Sequence, residues 1–282
     1  MATVKRRSKQ TRVIPGFQLT FGITVAMLSL LVLIPLLSVL VNSFRLSPAE
    51  FWKLITAKNV LSAFGTSILC SLIAAFINAV FGVILAWVLV KYDFPGKRIV
   101  DGLIELPFAL PTAVAGITLS KMFSDTGFPG SFFSGIGINI SYTRIGIVAA
   151  LIFIGIPFTV RAVQPVLEKL DGQYEEAAYI LGASRRKTFF KVIFPEILPA
   201  ILTGFGLSLA RGIGEYGSVI YISGNSLKDG TQVVSYVIMQ KLERLDYADA
   251  TAIALVLLII SFVLLFVINL IQLRRSKRIS VR

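Results

Sequence analysis

Six apolar runs, each near or above the length that crosses a bilayer as a helix, leave this 282-residue chain few folds to choose from. They lie at about 17–41, 65–90, 99–119, 145–163, 197–221 and 250–271. Backbone groups in lipid must find their hydrogen bonds within the segment, and the alternating pattern of barrel strands is absent. The expected fold is therefore an all-α integral membrane protein with six transmembrane helices. Only 15% of residues are charged and the mean hydropathy is +0.81, so no sizeable soluble domain fits beside the spans. The run at 17–41 is too long, and too well followed by further spans, to read as a cleaved signal peptide.

A net charge of +13 is unusual for so apolar a chain. The basic residues sit between the apolar runs rather than on one polar domain, which argues against nucleic-acid binding and for membrane topology. With both termini cytoplasmic, 19 of the 28 basic residues fall on the inside and eight on the outside. The inside set comprises a basic N-terminus (1–16), Lys91, Lys97 and Arg98, Arg161, Lys169, the stretch around Arg185–Lys191 and a basic tail (272–282). Trp87 and Tyr92 straddle the inner end of the second run, as interfacial aromatics do.

Several chemistries are missing. There is no histidine, and Cys70, inside an apolar run, is the only cysteine, so neither a disulfide nor a histidine or cysteine metal site is expected. No phosphate-binding glycine loop occurs; the nearest string, Phe94 to Arg98, lacks its first glycine and its hydroxyl residue. No catalytic residue is assigned. Asp101, Glu105 and Glu215 are the carboxylates in or beside apolar runs, too few for a membrane enzyme to be the favoured reading.

The most informative stretch is the inside loop at 168–195. It reads as a helix, a glycine break and a second short helix. Acidic residues favour the first turn, Gly182 suits the left-handed conformation that ends a helix, Ser184 suits an N-cap, and Pro195 is expected to stop the second piece. That piece is amphipathic, with Arg185, Arg186, Lys187 and Lys191 beside Phe189, Phe190, Val192 and Ile193. On these residues alone, a helix lying on anionic lipid and a helix docking in a partner's groove stand level.

The loop resembles the EAA loop of ABC importer permeases: Glu176, Ala177, Ala178, Gly182 and Pro195 fall at that pattern's spacing, with Val192 and Phe194 as apolar replacements for its isoleucine and leucine. The strings Glu105-Leu106-Pro107-Phe108-Ala109-Leu110-Pro111-Thr112-Ala113-Val114-Ala115-Gly116 and Gly212-Ile213-Gly214-Glu215-Tyr216-Gly217 are similar to the sulfate/thiosulfate permeases of that class. So are Tyr92 to Gly96 and Val163 to Glu168. The resemblance implies a type I ABC importer permease (MetI-like) fold, and sulfate or thiosulfate as cargo. A molybdate, tungstate or other oxyanion permease is the nearest rival, and a non-transport membrane scaffold the more distant one. It implies that Glu176, Ala177, Ala178, Gly182, Val192, Phe194 and Pro195 couple the spans to an ATPase, and that the chain holds no cofactor, ATP and Mg being on that partner. Implied partners are a sister permease (CysW-like), an ATPase dimer (CysA-like) and an extracytoplasmic sulfate/thiosulfate-binding protein. The host membrane would be a cell inner membrane, or a plastid envelope if the gene is plastid-encoded.

Four residues are candidates for the translocation path or its gate. Pro107 and Pro111 interrupt the third run. Arg211 and Glu215, four apart on one face of the fifth run, are placed to pair toward the outer side; charges at that depth face a bundle interior or a water-filled cavity. The residues themselves fit a kinked packing helix and a packing ion pair equally. The outer stretch 233–242, with Val234, Tyr236, Val237 and Ile238, is a candidate docking surface for the binding protein, and a helix lying on lipid fits it as well.

Overall fold

A computed structural model describes residues 17–170 and 172–279. The basic segment 1–16 and the last three residues of the tail lie outside it. No strand occurs among the described residues. Five helices are long and apolar enough to cross a membrane, and a bent pair supplies a sixth crossing if counted as one span. In chain order, α1 (Leu19–Ser43) is followed by a short helix, α2 (Pro48–Ile55), and by α3 (Lys58–Lys91). Next come the bent pair α4 (Lys97–Ala109) and α5 (Thr112–Met122), the short α6 (Gly130–Gly135) and α7 (Arg144–Lys169). The loop helix α8 (Gly172–Ile180) leads into α9 (Arg185–Ile213), and α10 (Val219–Ile222), α11 (Val234–Glu243) and α12 (Tyr247–Ile279) complete the chain.

Helices α3, α7 and α9 pack on one another and form the centre of the molecule. Fully buried Asn78 of α3 donates to Ser208 Oγ of α9 at 3.0 Å and approaches the Leu151 carbonyl of α7 at 3.5 Å. Gly155 of α7 leaves the room for this: a Cβ there would come within 2.4 Å of both Asn78 and Ser208. The three helices are thus joined by a polar contact in a setting where lipid competes poorly for hydrogen bonds. By contrast, α1 carries no charged residue, its most apolar stretch has no buried residue, and it packs mainly on α12. Just past its C-terminal end, a capping box between Ser47 and Glu50 starts α2, and these hydrogen bonds hold the Glu50 carboxyl below its usual range.

Two sequence expectations change, and a third becomes definite. The interruption expected in the third run is a sharp bend: α4 and α5 meet at 113°. Pro111 has no N–H to give and confines Leu110 to an extended conformation (φ −86°, ψ 136°), so the helix must restart at Thr112. The fifth run does not span 197–221. Its helix begins at Arg185 and ends at Ile213, with α10 a separate piece. Pro195, finally, does not stop the second loop helix. A π-helical turn at Phe189–Ile193 precedes it, and the Phe194 N–H reaches back five residues to the Phe189 carbonyl. Widening the helix there absorbs the missing donor and ring bulk of proline. The same device precedes Pro35, where the Ile34 N–H bonds the Ser29 carbonyl.

Candidate functional site

The 168–195 loop folds as its local chemistry directs. Helix α8 ends in a glycine-centred C-cap: Gly182 takes φ +75°, its N–H bonds the Tyr179 carbonyl at 2.9 Å, and the Ala183 N–H bonds the Ala178 carbonyl at 2.9 Å. Ser184 then caps the next helix, its Oγ accepting from the Lys187 N–H at 3.4 Å. The second arm is pinned from inside. Ile193 is buried among Ala86, Leu89, Ile104, Val160, Val163, Leu167 and Ile197, and Phe189 lies edge-on to Trp87 at 5.4 Å.

What the elbow shows to the outside is unusual for a loop. Ile180 and Leu181 are each 86% exposed, immediately before Gly182, and Tyr174, Tyr179 and Phe190 are exposed as well. Of the predicted coupling residues, Glu176, Ala177 and Gly182 are exposed, Val192, Phe194 and Pro195 are half-buried at the root of α9, and Ala178 is buried. Glu176 forms no ion pair among the described residues. The loop thus ends in an apolar tip with an acidic and small-residue flank, on a segment too polar to lie in the hydrocarbon.

At the C-terminal end of α9 the predicted pair forms, though not on one helix. Glu215 lies past the end of α9, in the break before α10, and is 2% exposed. Arg211 Nη1 donates to its Oε2 at 2.5 Å. Its Oε1 accepts from the Ser218 N–H at 2.9 Å and the Ser218 hydroxyl at 3.0 Å, and its main-chain carbonyl accepts from Ser235 Oγ at 2.7 Å. Glu215 therefore satisfies donors that the broken helix sets free and ties α9, α10 and α11 together. Arg211 keeps 38% of its side chain exposed.

The two breaks meet. A Cβ on Gly116 of α5 would sit 2.3 Å from the Ser218 carbonyl oxygen, and one on Gly217 would sit 2.2 Å from Thr112 Oγ1. Of the prolines, Pro111 makes the bend that brings α5 against this second break, while Pro107 stays buried inside α4 without ending it. Broken helices facing each other within a bundle are where transport proteins place the groups that meet their cargo. Of the residues named for a docking face at 233–242, Val234 and Val237 are buried against Val60, Ala63, Phe64 and Ile253, Ile238 packs on the same cluster and Tyr236 on a neighbouring one, while Met239 and Leu242 stay exposed. The apolar side of α11 is needed to hold it to α3 and α12.

Sequence reasoning left Asp101 and Glu105 without partners and counted Arg161 as an ordinary inside charge. The structure joins them: Arg161 of α7 pairs with Asp101 and Glu105 of α4, each at 2.8 Å, and with Gln164 at 2.7 Å. Two carboxylates four apart on one apolar helix call for a cation nearby, which was the available signal.

A bundle of five long apolar helices and one bent pair among the described residues, with an exposed two-armed elbow, has the form of a transporter's membrane subunit. The chain belongs to the family described as binding-protein-dependent transport system inner membrane component, whose model matches residues 78–281. It is 45% identical over 268 residues to the sulfate transport system permease protein CysT of Salmonella typhimurium, covering 95% of this chain and 96% of that one. It is 50% identical over 215 residues to the probable sulfate transport system permease protein of Marchantia polymorpha, covering 76% and 74%. The fold matches a bacterial ABC transporter for alginate import (TM-score 0.76, 17% identity, 92% of this chain and 96% of that one). It also matches the MetNI methionine ABC transporter (TM-score 0.58, 16% identity, 82% and 99%). The type I importer fold anticipated from sequence is therefore the fold found.

Proposed function

We propose that this chain is the membrane-spanning subunit of an ATP-driven importer of sulfate or thiosulfate, with both termini on the cytoplasmic side and no chemistry of its own. The observation that carries this is the elbow: an apolar tip, Ile180–Leu181, standing 86% exposed on a polar loop whose second arm runs unbroken into a spanning helix. A tip of that kind is built to be covered by another protein. Because α9 starts at Arg185 and continues to Ile213, displacement of the tip moves one end of a single long rod. Its far end carries Arg211 and the joint with α5. An ATPase dimer (CysA-like) holding ATP and Mg would drive that motion. A sister permease (CysW-like) would complete the path, and an extracytoplasmic binding protein would deliver the anion. Sulfate as cargo rests on the full-length likeness to the sulfate permeases named above. The membrane is a cell inner membrane, or a plastid envelope in hosts that encode the chain there.

Arg211 suits passage rather than storage. Glu215 already neutralises it on one side, so a dianion meets only the guanidinium face left exposed, and binds weakly enough to leave. The test is uptake in a strain lacking its own sulfate permease, with molybdate uptake in parallel. Sulfate uptake with co-purification of an ATPase supports the reading, and Arg211→Ala should lower that uptake at normal expression. Uptake of molybdate alone would move the cargo to another oxyanion. Absence of any associated ATPase would leave a membrane scaffold.

A further inference from the structure

The first helix of the elbow hangs between two joints. Leu170 leaves α7 in an extended conformation (φ −68°, ψ 111°), and Gly182 leaves α8 in the left-handed one. A rod held only at its two ends can roll about the line between them. Its main packing neighbours are the turns at Arg185–Thr188 and Phe189–Ile193, which lie beyond the glycine joint. Packing alone therefore ties α8 to the far arm, and a further contact off that line is needed to fix it to the bundle.

One such contact is present. Lys91 is the last residue of α3, and its Nζ pairs with the Glu175 carboxylate in the first turn of α8. The two side chains are only 26% and 21% exposed, so water screens the pair less than it screens a surface pair. The ammonium also lies 5.6 Å from the ring centre of Trp87, one turn back on α3, and Trp87 in turn lies against Phe189 of the second arm. Lys91 thus touches the first arm of the elbow directly and is braced, through Trp87, on the second. Among the described residues no other ion pair joins α8 to the bundle.

We infer that Lys91 and Glu175 form a strut that locks the elbow to α3, so that a push on the Ile180–Leu181 tip moves the bundle instead of rolling α8 on its joints. Neither residue belongs to the loop pattern from Glu176 to Pro195. They are positioning residues, acting through the segment that meets the motor. The push enters α9 along the chain and α3 across the strut, and the Asn78–Ser208 contact keeps those two helices moving together. The inference rests on the coupling reading proposed above.

The experiment uses the full transporter, purified with its ATPase and sister subunit and placed in liposomes with the binding protein. Lys91→Glu and Glu175→Lys are made singly and together, and sulfate taken up per ATP hydrolysed is measured beside the amount of ATPase retained. Each single change should lower the transport-to-hydrolysis ratio roughly five-fold while the ATPase stays bound, and the double exchange should restore most of it. Lys91→Arg should keep the ratio. A contact that only aided folding would change yield and ATPase retention, not the ratio. Unchanged ratios in both single variants would overturn the strut while leaving coupling intact. Failure of the unaltered chain to retain an ATPase would overturn the coupling reading, and the strut with it.

Discussion

The elbow at Gly182 and the joint between α5 and α10 do opposite things with the same small residues. In the elbow, Gly182 has open space around its Cα and is needed only for its backbone angle. At the joint, Gly116 has an ordinary helical backbone and is needed only for its lack of a side chain, because the Ser218 carbonyl passes 2.3 Å from where a Cβ would be. The turn at Gly182 is closed by bonds within a few residues, and the tip beside it stands exposed. The joint is held by contacts between residues a hundred positions apart and has no slack. Motion is therefore expected to enter at the forgiving end and to be resolved at the rigid one.

Substitutions sharpen or break this contrast. Gly116→Leu should be the most damaging, costing about 3 kcal/mol or more, because backbone rather than a side chain blocks the added atoms. The melting temperature of the purified protein should fall steeply, and a near-normal melt would show that the breaks do not abut. Glu215→Ala should cost about 2 kcal/mol, since it leaves the Arg211 guanidinium and the Ser218 N–H without their acceptor. Glu215→Gln should recover part of that in the same thermal assay. At the elbow the scale drops. Gly182→Ala should cost about 1 kcal/mol for the left-handed backbone, with Gly182→Asn milder. It should change transport per ATP more than it changes the melt. Ser184→Ala should be the smallest, about 0.5 kcal/mol for the lost N-cap and close to invisible in the melt. If the elbow variants destabilised the protein as much as the joint variants, the contrast between a local hinge and a packed joint would be lost.

Prolines show how far local rules carry. Pro111 ends a helix where its lack of a donor says one should end, yet Pro107 and Pro195 do not, because a helix can tolerate one missing hydrogen bond or widen by a residue to accommodate it. Sequence marks the defect; neighbouring helices choose between break and bulge. Likewise the Arg211–Glu215 spacing announced the pair, but only the surrounding fold showed Glu215 closing off the broken end of α9.

What the chain determined by itself was everything set within a turn or two. That includes six apolar runs, an all-helical fold, the cap at Gly182 and Ser184, and a glycine-broken loop whose spacing resembles that of importer permeases. These follow from backbone donors that must be satisfied within the segment and from angles that one residue type adopts cheaply. The tertiary structure alone decided that spans three and five break and meet, that α11 turns its apolar side inward, that Arg161 belongs to Asp101 and Glu105, and that Lys91 reaches Glu175. Those pairings join residues far apart in sequence, and their partners are chosen by how whole helices pack, a choice that no local pattern encodes.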